Sequence, residues 1–184
     1  MPSSCDPRYA PAGDVSAALL VIDSRLKSVY DGQVMDADEQ RRLDGQFIRS
    51  LGPTGAQDLL DGACTLVFMF MKWLRSACEQ HDQDVIEYVV PNLVTTMRMM
   101  PRSIRPETVP TMAGLVVAAG TGLSPSLWRR QYGEWTPEEM NSLEATAFLL
   151  AELINRVTGD RAFATRMIAE ALTAADGEEA GEPG

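Results

Sequence analysis

The chain has 184 residues, 45% of them hydrophobic and 23% charged, the size and composition of one globular domain that can bury a core. Its formal net charge of -10 disfavours nucleic acid as a partner, because affinity for phosphate backbones comes mainly from Lys and Arg. A single histidine and only three cysteines exclude the common zinc, di-iron and His-Glu-x-x-His chemistries, so no metal and no cofactor is expected.

Residues 1-13, with Pro2, Pro7 and Pro11, read as a disordered leader. Asp14 then offers an N-cap to a helix in which Val15, Leu19, Ile22, Leu26, Val29 and Tyr30 recur at helical spacing, ending at Gly32. A capping box, Asp36 with Glu39, starts a second helix that presents Leu43, Phe47, Ile48 and Leu51 on one side and stops at Gly52-Pro53. Thr54 with Gln57 is a further capping box and opens the most apolar segment of the chain. From Leu59 to Leu74 its apolar side chains cover well over half the helix circumference, leaving a narrow seam of Asp58, Asp61, Thr65, Lys72 and Ser76. A helix apolar nearly all round is buried.

Asp84 with Glu87 caps the next helix, where Val85, Ile86, Val89, Val90, Leu93, Val94 and Met97 share a side, and Pro91 within it predicts a kink or a break. Pro101, Pro106 and Pro110 punctuate a loop through Arg102 and Arg105, followed by a short helix from Met112 to Ala119. Ser124-Pro125 starts another short helix that Gly133 closes. Thr136-Pro137-Glu138-Glu139 caps a longer one with Met140, Leu143, Ala147, Leu150, Ile154 and Val157 on its buried side. Gly159-Asp160 leads into a last helix lined by Phe163, Met167, Ile168, Ala171 and Leu172, and residues 176-184 form an acidic tail expected to be disordered. No segment alternates with period two. The chain therefore reads as all-α, a single-domain bundle over 14-175 of about seven or eight helices around a buried central helix, 57-80.

Cys64 and Cys78 lie fourteen residues apart on that central helix, or about 21 Å, against a limit of roughly 7 Å for a disulfide. Free thiols in a reducing compartment follow, and no basic-then-apolar signal segment stands at the amino terminus. The run Leu66 to Met71 is too short to span a membrane. A soluble, cytoplasmic protein without membrane partners is expected.

Neither a Gly-x-x-x-x-Gly-Lys loop nor a Gly-x-Ser-x-Gly elbow is present, and His81 falls at a helix end, where imidazolium favours the dipole. No catalytic residue is assigned. The acid-poor middle stands out instead: from Tyr88 to Gly133 the only acid is Glu107, against five arginines. Arg98, Met99, Met100, Arg102, Arg105 and Met112 are candidates for a protein-binding surface, since mixed apolar and arginine patches suit partners. Self-association is left open.

The run from Ala118 to Leu143 resembles the helix-turn-helix of Cro/C1-type DNA-binding domains. Ala118, the turn Gly122-Leu123-Ser124, a second helix from Pro125, and then Gly133 and Pro137 ahead of Leu143 carry that resemblance. It implies that Ser126, Arg129 and Arg130 face the major groove and phosphates. The leading expectation is a non-enzymatic interaction or regulatory module that binds a protein. A helix-turn-helix regulator is the alternative, and a small-ligand protein or enzyme using a pocket beside Asp58 and Asp61 is the third.

Overall fold

The computed structural model describes residues 12–32 and 37–179, and between 37 and 54 only the side chains of Asp38 and Arg42. Among the described residues there are seven α-helices, one 3-10 turn and no strand: α1 (Ala12–Tyr30), α2 (Ala37–Glu79), α3 (Val85–Arg98), the turn Pro106–Thr108, α4 (Val109–Gly120), α5 (Pro125–Arg130), α6 (Pro137–Thr158) and α7 (Phe163–Glu179). The fold is an all-α bundle. No helix among the described residues is long and apolar enough to cross a membrane.

The segment expected to be central is central. α2 packs against each of the six other α-helices, and every residue from Gly62 to Met71 is buried. Cys64, Leu66, Val67, Phe70 and Met71 are wholly inaccessible, and each large apolar side chain so buried contributes about 1.5–3 kcal/mol. Thr65, expected on the polar seam, is also buried, and its hydroxyl donates to the Asp61 carbonyl at 3.0 Å. Lys72 and Ser76 are exposed, so the seam opens only at its two ends.

Two glycines let neighbours come close. A Cβ on Gly62 would collide with the Asp14 carbonyl oxygen, so α1 crosses α2 with backbone against backbone. A Cβ on Gly114 would strike the Trp128 indole, which seats α5 against α4.

Several expectations need correction. The helix does not stop at Gly52-Pro53: α2 is one helix of 43 residues. Proline's fixed φ is itself helical, so its cost is one missing amide and local crowding, and an anchored neighbouring core can offset that. α3 likewise runs unbroken past Pro91. Pro91 is exposed, so water can reach the carbonyl that it leaves without a donor. α7 reaches Glu179, which places Asp176–Glu179 in a helix rather than in an irregular tail. Val29 and Val157, expected on buried sides, are 55% and 50% exposed, because each lies in the last turn of its helix. The expected 1-13 leader gives way to α1 at Ala12, so Asp14 stands in the first turn of that helix rather than capping it. The Asp36/Glu39 and Thr54/Gln57 boxes, the Leu43-Phe47-Ile48-Leu51 stripe, residues 1-11 of the leader and the end of the tail lie outside the described residues or side chains.

Candidate functional site

The acid-poor segment begins on α3. Asp84 caps this helix, accepting from the amides of Ile86 and Glu87 at 2.7 and 3.3 Å, and Val85, Val89, Leu93 and Met97 form its buried stripe. The chain then turns tightly: the Met99 amide donates to Thr96 O, the Met100 amide to Met97 O, and the Ser103 and Ile104 amides both to Met100 O. Met97 before the turn and Ile104 within it are completely buried. Beyond it, the Thr108 hydroxyl bridges Arg105 O at 2.8 Å and the buried Ser142 hydroxyl at 2.7 Å, while Arg25 donates to Ser103 Oγ at 3.3 Å and to Glu144 at 3.1 Å. Hydrogen bonds thus tie the turn to α1 and α6.

On this fixed turn Arg98, Arg102 and Arg105 are exposed, and Met99 is 70% exposed. Met100 is half-buried against the core. None of the three arginines has an acidic partner among the described residues. Met112 does not belong with them. It is wholly buried under α4, where the apolar face of a short helix must go. Next to Arg105 an open cleft of about 470 Å³ is lined by Arg105, Glu107, Thr108, Thr136, Glu138 and Glu139. Sequence reasoning missed this cleft, because it forms only where the turn meets the start of α6.

The arginines of the α5 segment are placed differently. Ser126 is buried, and Arg129 is 4% exposed. The Arg129 guanidinium donates to Glu139 Oε2 at 2.6 Å, to Gly133 O at 3.0 Å and to Glu134 O at 2.8 Å, and it lies 5.0 Å from the Trp135 ring centre. Ser126 and Arg129 are thus buried, and the Arg129 guanidinium is bound within the α5–α6 hairpin. Arg130 is exposed and reaches Asp61 at 3.4 Å. Burial would raise the Glu139 carboxyl, but the Arg129 hydrogen bond together with the Thr136 amide and hydroxyl holds it below the usual glutamate range.

Asp58 and Asp61 are half-exposed, and Asp61 also accepts from Gln57 Nε2 at 3.3 Å. Facing them is Asp14, whose carboxyl is raised by burial first and then by the Asp58 and Asp61 charges. The nearby apolar cleft between α1, α2 and α6 is lined by Ala18, Ile22, Leu59, Leu60, Ala63 and Leu143 among others, and includes neither carboxylate. At about 40 Å³ it has room for little more than a water molecule. His81 is exposed in the turn after α2, and no cluster that could hold a metal ion occurs among the described residues. Cys64 and Cys78 are buried and form no disulfide.

No family model matches the chain, nor does any curated protein or solved structure.

Proposed function

We propose that this chain is a non-enzymatic interaction or regulatory module that binds a protein partner through the turn following α3. The observation that carries the proposal is Met99, 70% exposed and set between the exposed Arg98 and Arg102 on a turn whose ends are anchored by the fully buried Met97 and Ile104. A large apolar side chain held in solvent with arginines around it suits the centre of a protein contact. Rigid display lowers the entropy lost on binding. That Cys64 and Cys78 form no disulfide fits a protein that works in a reducing compartment such as the cytoplasm.

Of the three side chains that the helix-turn-helix alternative names, Arg130 is exposed and lies beside Asp61, while Ser126 and Arg129 are buried. For the small-ligand alternative, the apolar cleft near Asp58 and Asp61 is lined by neither carboxylate. The test is affinity capture from native lysate, with and without nuclease, comparing wild type with Arg102→Glu/Arg105→Glu. Proteins captured by wild type, retained after nuclease and lost in the variant are the expected result. Capture unchanged by the variant contradicts the proposal, and capture abolished by nuclease returns the nucleic-acid reading.

A further inference from the structure

Resting on that reading, we infer that the partner is a protein segment in which acidic residues and a bulky apolar side chain are followed by a basic one. The surface changes sign along its length. At one end Arg98 and Arg102 stand exposed on either side of Met99 with no acid among the described residues to neutralise them. At the other, Arg105 borders the cleft that also holds Glu107 and Glu138, both exposed, so two carboxylates there oppose one guanidinium. Carboxylates on the partner complement the first end, and a long Lys or Arg side chain complements the second, where about 470 Å³ of open cleft accommodates it. Met99 supplies the apolar contact beside the two arginines.

A nucleic acid fits less well. Duplex binders typically use about 6–10 phosphate contacts, far more than two arginines supply, and an extended polyanion would run onto Glu107 and Glu138 within a chain of net charge -10.

The experiment is a selection from a random linear-peptide display library against the full chain. The recovered peptides are then labelled with fluorescein and titrated by anisotropy against wild type, Arg98→Glu/Arg102→Glu and Glu107→Lys/Glu138→Lys. All four positions are exposed, so both variants should keep the wild-type circular dichroism, with Tm lowered only modestly by the reversed charges at helix ends. The expected peptides carry acids and a bulky apolar residue together, with a basic residue beyond them, and each variant weakens them about tenfold. Peptides that lose binding in Arg98→Glu/Arg102→Glu yet show no acidic enrichment overturn the partner chemistry while leaving the interaction surface standing. Peptides indifferent to both variants overturn the surface as well, and a library that yields no binder does the same. A random duplex oligonucleotide that binds at low salt and is lost in Arg98→Glu/Arg102→Glu replaces the protein partner with a polyanion.

Discussion

Arg129 and Glu139 hold the α5–α6 hairpin by a short, buried ion pair, with side chains only 5% and 12% exposed. Removing one member strands the other, so Arg129→Ala should cost about 3–5 kcal/mol in urea unfolding at neutral pH. Because the folded Glu139 carboxyl lies below its ordinary value of 4.5, its contribution is complete above that value and is lost as pH falls through the folded value. The stability gap between wild type and Glu139→Gln is accordingly wide at pH 7 and narrows below about pH 4.5. Gly62 offers a test of a different kind. A Cβ there meets fixed backbone at Asp14, so Gly62→Ala should destabilise by about 1–3 kcal/mol, whereas Gly177, with nothing within 4 Å, should gain about 0.5–1 kcal/mol as Ala through helix propensity.

Caps were readable one helix at a time because they are local chemistry. Ser124, the reciprocal Thr136/Glu139 box and Gly159 in the left-handed conformation all stand where their residue types place them. The all-apolar girth of residues 59-74 likewise marked the centre of the bundle, since no one-sided packing could cover it. What misled was proline. Local rules count the donor lost at Pro53 and Pro91 but cannot see the flanking core that carries the helix through. For the solvent-facing Pro91 this gives a direct expectation: Pro91→Ala restores an amide donor in the interior of α3 and should raise stability by about 1–3 kcal/mol, read as an increase in Tm without loss of helicity. Arginines misled in another way. Arg129 and Arg102 look alike along the chain, yet one is locked against Glu139, ten residues on, and the other stays in solvent, a difference set by which helix face meets a neighbour. Met112 and Met99 divide for the same reason.

Across the molecule, charge and burial act together. The chain is acidic overall, Arg129 and Arg130 face Glu139 and Asp61, and the turn after α3 is left as the place where exposed guanidinium groups and an exposed methionine coincide among the described residues. Since that turn is tied to α1 and α6, binding there should leave the bundle unchanged and affect only its surface. Methyl NMR of the protein carrying 13C-labelled methionine methyls, titrated with a peptide recovered from the display selection, reads this directly. The account predicts a large shift or broadening of Met99, a smaller change at half-buried Met100, and none at the buried Met97 and Met112. Peptide binding that leaves the Met99 methyl unmoved would contradict it.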